Sequence, residues 1–470
     1  MSTASNPHGE PLPAPPGLIS DVATFTYAGA PYPNPEIALS GAIAYLAGIC
    51  GNAYNVSGTG LNQYIFMLAP TGVGKEAVAI AISRLNLAVV ERTENPAITD
   101  YIGPSQIPSL PGLLKYLGRR DCPSMLCILP EVGYLLKTMT GRKADAHALG
   151  VQRGLLDLYG KSGKGQVVGS TAYSDQDKVQ KPIMAPALSI FGEGTPETFY
   201  ASLERETVAN GFVPRCLLFE TRTPRPYENK NRQVTPPPAL VDSLAVLVGH
   251  TSKLSSKGEV CNVILSPEAE ADLSSFSNWA TDQINTGTEV TRQLWNRAHL
   301  KALKLAALSA VGRSPFTPVI MWDDCRWALD LVYRQTLHLI AKFETGETGE
   351  EAGDEVKQEN IILRIIYEYM TEPFERFAKS GATRAMHQNK VIPHSYLSRR
   401  VLKLDAFSKD PRGATAALHR TLKNMMDAYE LTELNSDQKT KEYQTRARLF
   451  VVPNPERIID AGRRKYEGGV

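Results

Sequence analysis

The sequence predicts an α/β protein in which helices cover both faces of a parallel sheet. Five short runs are apolar without alternation, as in strands that are buried on both sides: Tyr64–Ala69, Leu87–Val90, Met125–Leu129, Ala187–Phe191 and Cys216–Phe219. Helix-length connections separate most of these runs, which is typical of parallel strands. A glycine-rich loop between the first run and a helical pattern also favours this fold class.

The first 51 residues divide into a lead-in and a helix. Residues 1–35 contain eight prolines and are otherwise rich in Ser, Ala and Gly, so we expect a poorly ordered segment or one that lies along the surface. From Pro35 to Gly51 apolar residues recur with helical spacing. This pattern predicts a helix that packs under the domain that follows.

Composition and charge exclude several classes of protein. The chain has 470 residues, 43% hydrophobic and 21% charged, which is typical of a soluble globular protein with about two to four domains. A formal net charge of +2 excludes a polycation, so nucleic-acid binding would depend on local patches. No apolar run is long enough for a membrane span, and no Lys or Arg precedes Lys75, so a secretory signal is not expected. The six cysteines lack zinc or redox spacing, which favours a reduced, cytoplasmic protein.

Proline-rich and acidic stretches mark the expected domain boundaries. The proline-rich residues 223–238 end the sheet domain, and six acids within 344–355 predict a solvated linker. The chain then divides into a lead-in, a sheet domain, a helical domain, the linker, a third domain and a tail: 1–35, 36–225, 226–343, 344–355, 356–455 and 456–470.

The third domain has the outline of a winged helix. Helical patterns begin at residue 356, at Tyr396–Leu404 and at Ala414–Tyr429, and the extended segment Ala447–Val452 follows them. Between Arg384 and Lys423 there are nine Lys or Arg residues and two acids, an excess of nine minus two, or +7. Such a domain binds either nucleic acid or an acidic protein partner, and the sequence leaves both open.

One loop of the sequence has the pattern that binds phosphate. Residues 69–76 read Ala-Pro-Thr-Gly-Val-Gly-Lys-Glu and lie between an apolar strand and a helical pattern, as a P-loop does. Its glycines let successive N–H groups point at phosphate oxygens, and its lysine would reach the β- and γ-phosphates. We therefore predict that ATP, with Mg²⁺, is bound by Pro70, Thr71, Gly72, Val73, Gly74, Lys75 and Glu76. The alternative is a strand-to-helix turn without a ligand.

Two positions differ from the usual metal side of a P-loop site. Glu76 stands where a Ser or Thr hydroxyl would bind Mg²⁺, and Pro130 stands where an Asp would end a strand. Glu131 has the place of the carboxylate that orients water. We expect Glu76 to supply the missing metal-side carboxylate. In the competing interpretation the site is degenerate and binds nucleotide with little hydrolysis.

Six blocks of sequence occur in a characteristic order. They are LNQY (61–64), LAPTGVGK (68–75), ILPE (128–131), APALSIFGEGTPETF (185–199), GFVPRCLLFE (211–220) and NRAHLKALKLAALSA (296–310). In these blocks the chain resembles a family of P-loop ATPases of phages, prophages and mobile elements, helicase-like proteins that are often associated with primase domains. The resemblance covers roughly residues 30–340. It implies a RecA/AAA+-like P-loop NTPase core.

The resemblance also implies roles for residues outside the loop. Thr195 would sense the γ-phosphate or the attacking water, unless it only caps a turn. Arg215 would act as an arginine finger toward a neighbouring subunit, as a sensor in its own site, or only in a surface ion pair. Arg205 is a rival for the same role, and Arg297 would sense nucleotide from the helical domain. A finger that acts on a neighbour implies a homo-oligomeric ring, and a hexamer is expected.

Two basic regions are candidates for nucleic-acid contact. Lys161 and Lys164 lie in a Gly/Lys-rich loop beside a β-hairpin pattern, flanked by Tyr159 and Tyr173, and would follow a phosphate backbone. The alternative is an ordinary surface loop. In the third domain the candidates are Arg399, Arg400, Lys403, Arg420 and Lys423.

Together these features predict an ATP-dependent motor on single-stranded DNA, a replicative DNA helicase of a phage or mobile element. A separate primase or polymerase would be its partner, because no primase-like acidic triad is evident. The alternatives are a nucleotide-binding assembly or loading factor that docks replication partners without unwinding, and a pseudo-ATPase with a structural role.

Overall fold

The chain divides into two compact units, Met1–Ile340 and Ala341–Val470. The structure, a computed structural model, describes residues 14–120, 122–133, 136, 139, 146–169, 181–203, 208, 210–221, 225–344, 354–377, 381–408, 410–456, 458 and 459. The predicted sheet domain and residues 226–340 of the predicted helical domain fall within the first unit, and the third domain falls within the second. Most of the predicted acidic linker lies outside the described residues.

Helices and strands alternate along the first unit. Its described helices are α1 (Leu18–Gly29), α2 (Pro35–Cys50), α3 (Ala77–Thr93), α4 (Leu110–Gly118), α5 (Ala146–Gly160), α6 (Pro196–Ala201), α7 (Pro238–Lys257), α8 (Pro267–Thr286), α9 (Glu289–Trp295), α10 (Ala298–Arg313) and α11 (Trp322–Glu344). Its described strands are β1 (Tyr54–Val56), β2 (Thr59–Gly60), β3 (Tyr64–Leu68), β4 (Ser124–Leu129), β5 (Val167–Val168), β6 (Ile183–Met184), β7 (Ala187–Gly194), β8 (Cys216–Glu220), β9 (Cys261–Asn262), β10 (Ile264–Leu265) and β11 (Val319–Ile320).

A four-stranded parallel sheet with the order β4-β7-β3-β8 forms the centre of this unit. Tyr64, at the amino end of β3, lies beside Cys216 of β8, and Leu68, at its carboxyl end, lies beside Glu220. Every residue of β3 is buried, as expected for a central parallel strand. The predicted α/β class with a parallel sheet is confirmed.

The lead-in predicted for residues 1–35 is wrong for its second half, because helix α1 lies there. Its residues Leu18, Val22 and Phe25 recur with helical spacing and are buried, and α1 packs against α2. Three closely spaced prolines (31, 33 and 35) obscure this pattern in the sequence. Pro35 begins α2, a position where its missing N–H leaves no hydrogen bond unmade, and the Asn34 side chain caps that helix.

The strand predicted at Leu87–Val90 is also wrong, because these residues belong to helix α3. Leu85 and Val89 are buried whereas Leu87 is 60% exposed. Buried positions four residues apart are typical of a helix, and a run of four apolar residues is too short to show that spacing. The predicted helix therefore continues from Ala77 to Thr93.

The second unit combines helices with a small antiparallel sheet. Its described helices are α12 (Asp354–Thr371), α13 (Arg384–Gln388), α14 (His394–Val401), α15 (Asp405–Ser408), α16 (Ala414–Asp427) and α17 (Ser436–Tyr443). Its strands β12 (Val391–Pro393), β13 (Thr432–Glu433) and β14 (Leu449–Val451) pair in the order β12-β14-β13. Residues from α12, α14, α16 and β14 form one apolar core. The three predicted helices and the closing extended segment are all present.

Among the helices in the described part of the chain, none combines the length and the apolar composition that crossing a bilayer requires.

Candidate functional site

The predicted phosphate-binding loop connects β3 to α3 at the carboxyl end of the sheet. Gly72 and Gly74 have φ of 80° and 95°, a left-handed backbone that favours glycine. Lys75 Nζ donates to the Ala69 carbonyl oxygen at 2.8 Å and to the Gly194 carbonyl oxygen at 3.2 Å. Main-chain carbonyls therefore hold the ammonium group above the ends of β3 and β7.

The loop lies at a point where the chain path across the sheet changes direction. From β3 the chain leads to β4, toward one edge, whereas from β7 it leads to β8, toward the other edge. In open α/β sheets ligands bind in the crevice beyond the carboxyl ends of strands at such a point. The contact of Lys75 with Gly194 places the lysine in this crevice.

Glu131, the predicted water-orienting residue, follows β4 at the same end of the sheet. It is exposed, and its φ is 55°. For a residue with a side chain this conformation costs about 1 kcal/mol or more, and such residues cluster at functional sites. The local backbone therefore supports a site at the end of β4.

Glu193, near the end of β7, is a carboxylate that the sequence interpretation missed. Burial raises the pKa of this carboxyl group, nearby Lys75 lowers it, and the charges of Glu76 and Glu131 raise it, with a net upward shift. Glu193 therefore interacts electrostatically with all three predicted charged residues of the site, Lys75, Glu76 and Glu131. Because Glu193 is the one acid within an apolar, glycine-ended run (187–194), its position at a strand end was a usable signal.

The predicted metal ligand Glu76 is exposed at the start of α3. Within the described residues, no group of three or more His, Cys, Asp or Glu side chains is arranged to hold a metal ion. Mg²⁺ that binds with a nucleotide needs only one or two carboxylates, because phosphates and waters complete its octahedron. Glu76 follows Lys75 directly in the chain and Glu193 interacts with Lys75 electrostatically, so these two carboxylates would meet this requirement.

Thr195 caps helix α6. Its hydroxyl accepts a hydrogen bond from the Thr198 N–H at 3.4 Å and lies 2.9 Å from the Thr198 hydroxyl. The turn-capping alternative is therefore present in the structure, directly after the strand that carries Glu193. Its predicted contact with the γ-phosphate or water stays a prediction.

Arg215 lies at the opposite end of the sheet from the loop. It precedes β8, whose first residue pairs with Tyr64, so about six residues of strand, or roughly 20 Å, separate it from the level of Ala69. The alternative that Arg215 senses nucleotide in its own site is therefore wrong. Its guanidinium Nη1 donates to the Gly211 carbonyl oxygen at 2.5 Å. Arg205, the rival, lies outside the described residues.

Three further basic residues lie near Arg215. Burial and the charge of Arg297 lower the pKa of Arg215. Burial lowers the pKa of Lys301 to about 8, and burial with the charge of Arg215 lowers that of Lys304 to about 7. Lys304 donates to the Asn62 side chain at 2.7 Å. Within the described chain, none of the four forms an ion pair with a carboxylate. Because Lys301 and Lys304 are buried and their pKa values are lowered, the positive charge at this end of the sheet belongs mainly to Arg215 and Arg297.

The predicted nucleic-acid loop begins at the amino end of the sheet. Lys161 pairs with Asp157 on α5 at 2.9 Å. The Lys164 side chain is exposed, and the main-chain N–H of Lys164 donates to Asn55 Oδ1 at 2.6 Å. The hairpin beside it is present as the antiparallel pair β5–β6.

The tyrosines predicted to flank the loop are not both observed at its surface. Tyr159 does not face solvent, because it is buried under Lys304, whose Nζ lies 4.2 Å from the ring centroid. Tyr173 lies outside the described residues.

The basic candidates of the second unit do not all remain accessible. Arg420 is removed from the predicted surface, because it is part-buried and bonded to Asp410 at 2.6 Å. Arg400 pairs with Glu368 at 2.6 Å but keeps 42% exposure of its side chain. Three others are exposed: Arg399, Lys403 and Lys423.

A buried acid lies on the first turn of α2. Glu36 is 3% exposed, its Oε2 has no hydrogen-bond partner among the described residues, and burial raises its pKa to about 7. Between about pH 4.5 and pH 7 the folded protein then holds a proton that the unfolded chain has lost. The free energy of unfolding therefore falls as pH rises through this window.

Replacing Glu36 by Gln, which mimics the neutral acid, is expected to stabilise the protein above pH 7 by up to about 3 kcal/mol. At pH 5 the variant and the unaltered protein should differ little. Urea unfolding at pH 5 and pH 8 measures the effect, and Glu91→Gln, at an exposed position of α3, is the control. Equal stabilisation at both pH values would show that the acid does not titrate as inferred.

Comparison of the chain with protein-family models and with curated proteins gave no match.

Proposed function

We propose that the chain is an ATP-dependent nucleic-acid motor, a ring-forming replicative DNA helicase of a phage or mobile element. One observation carries the proposal: Lys75 is held at the crevice between β3 and β7, at the end of a loop with left-handed glycines. Backbone N–H groups and a lysine in this arrangement bind the polyphosphate of a nucleotide. The core is then of the RecA/AAA+ type, and the protein acts in the host cytoplasm.

Hydrolysis in this proposal uses the carboxylates around the loop. Glu131 orients the attacking water, and Glu76 supplies the metal-side carboxylate that Pro130 does not, with Glu193 beside it. Bound Mg²⁺ would neutralise charge between the phosphates and these acids. The electrostatic coupling of Glu193 with Lys75, Glu76 and Glu131 supports this assignment.

The position of Arg215 supports the proposed ring. A residue about 20 Å from its own phosphate loop acts on ATP only from a neighbouring subunit. Arg215 and its neighbour Arg297 form no ion pair with a carboxylate in the described chain, which favours an anion as their partner. Arg297 acts with Arg215 on the neighbour's nucleotide.

The second unit would serve as the nucleic-acid or partner module. Its element order, with helices α12, α14 and α16 and a three-stranded sheet, supports a winged helix. Exposed Arg399, Lys403 and Lys423 supply its basic surface, and a separate primase or polymerase is the other partner class.

The second candidate function is a nucleotide-dependent assembly or loading factor. Pro130 at the end of β4 and Glu76 in place of a hydroxyl favour it, because both weaken the usual metal side. Such a protein binds ATP, forms a ring and docks partners without unwinding.

ATP hydrolysis with and without a single-stranded oligonucleotide tests the proposal. A motor is expected to hydrolyse ATP several-fold faster with the oligonucleotide, and added salt should reduce this stimulation. Lys164→Ala should reduce it more than Lys161→Ala, since the second lysine is already paired with Asp157. Nucleotide binding with negligible turnover under both conditions would favour the loading factor.

A further inference from the structure

Two segments that the sequence assigns to a lead-in and a domain boundary fold against each other. The Asn229 N–H donates to the Pro31 carbonyl oxygen at 2.8 Å, and the Gln233 N–H donates to the Ala28 carbonyl oxygen at 3.0 Å. Next to them, the Asn34 side chain donates to the Thr221 hydroxyl at 3.0 Å, directly after β8. Residues 28–34 and 225–233, the paired segments, therefore lie at the carboxyl end of the sheet.

The paired segments contact the phosphate loop through Tyr32. A Cβ atom at Gly74 would lie 3.3 Å from both the carbonyl oxygen and Cβ of Tyr32. That distance is tight, so glycine at this position serves both the left-handed backbone and the close approach of the tyrosine. Tyr32 thus forms one wall of the loop.

Arg225 lies on the same wall. Its Cζ is 3.6 Å from the centroid of the Tyr32 ring, and its Nη1 lies 3.8 Å from where a Cβ at Gly72 would be. The residue is exposed and forms no ion pair with any carboxylate in the described part of the chain. This guanidinium lies over a ring, next to Gly72 of the phosphate loop, and has no carboxylate partner in the described chain. It is therefore suited to bind an anion there.

We infer that Arg225 binds the terminal (γ) phosphate of a nucleoside triphosphate in its own subunit, with Tyr32 as the residue that positions it. The inner phosphates lie against the N-terminus of α3, as the helix dipole favours. Gly72 lies in the part of the loop that precedes α3, so a cation beside it faces the outer end of the polyphosphate, which Lys75 reaches from within the loop. This inference rests on the proposed nucleotide site and adds a cis arginine to it, distinct from Arg215.

Isothermal calorimetry of the full chain with Mg-ATP and Mg-ADP tests the inference. Arg225→Ala should weaken ATP binding by about 10- to 100-fold, the range for a charge-assisted hydrogen bond, and change ADP binding by about twofold or less. Tyr32→Leu should also weaken ATP binding, whereas Tyr32→Phe, which keeps the ring, should bind ATP as the unaltered protein does. Arg232→Ala is the matched control, because this exposed arginine lies on the same segment.

The outcomes separate this inference from the function on which it rests. An unchanged ratio of ATP to ADP affinity in Arg225→Ala, with thermal unfolding like that of the unaltered protein, would overturn the inference and leave the P-loop site standing. Equal losses for ATP and ADP would overturn the assignment to the terminal phosphate. If the unaltered protein binds neither nucleotide, the proposed function and the inference both fail.

Discussion

Replacing Arg215 by alanine is expected to lower the rate of ATP hydrolysis by about 10³-fold or more and to change ATP affinity only a few fold. An arginine finger stabilises charge that develops on the transferred phosphoryl group, an effect of about 10³–10⁵-fold in P-loop enzymes. The register of β8 with β3 places Arg215 far from the loop of its own subunit, so its loss should not weaken nucleotide binding there.

Steady-state hydrolysis and nucleotide titration measure the two quantities separately. Arg292→Ala is a matched control, because this exposed arginine on α9 pairs with Glu289. Mixing Arg215→Ala chains with chains that lack Lys75 should restore part of the activity, since some interfaces then combine an intact finger with an intact loop. Failure of every mixture to recover activity, although both variants form oligomers, would contradict action on a neighbour.

Replacing Lys75 by alanine is expected to reduce ATP affinity by about 100-fold or more and to abolish hydrolysis. The ammonium group lies at the junction of β3 and β7 with carbonyl partners at 2.8 and 3.2 Å, so it needs little rearrangement to meet a phosphate. A charge-assisted hydrogen bond contributes about 1.5–3 kcal/mol, and the lysine supplies more than one to a polyphosphate.

Equilibrium binding of a fluorescent ATP analogue measures this loss. Lys115→Ala, at an exposed position of α4, removes the same charge away from the site and should leave affinity unchanged. The Gly194 carbonyl keeps its hydrogen bond from the Ala69 N–H when Lys75 is replaced, and thermal unfolding of Lys75→Ala checks that the fold is retained. Unaltered affinity in this variant would remove the basis of the nucleotide site.

The sequence was sufficient for the elements that carry strong local signals. Four unbroken apolar runs became the four strands of the sheet, and the loop between Ala69 and Glu76 holds its lysine at their carboxyl end. Local pattern failed where tertiary packing decides. Leu87–Val90 could form either a strand or a helix, and the helix buries Val89 while it exposes Leu87.

The roles of Tyr32 and Arg225 were missed for a different reason. Tyr32 and Arg225 are 193 positions apart in proline-rich stretches, and only the hydrogen bonds between residues 28–34 and 225–233 bring them together. Arg420 shows the reverse case, because charge counting cannot distinguish a solvated arginine from one bonded to Asp410. Long-range pairing of this kind is not encoded in composition or spacing.

A parallel sheet has two chemically different ends, and this chain makes them electrically complementary. Three carboxylates, those of Glu76, Glu131 and Glu193, lie at one end beside Lys75, whereas Arg215 and Arg297 lie at the other without a carboxylate partner in the described chain. Copies that used this complementarity would stack head to tail, since a twofold pair would oppose like charges. Head-to-tail contacts either close into a circle or grow into a filament, so the angle between successive copies decides which assembly forms.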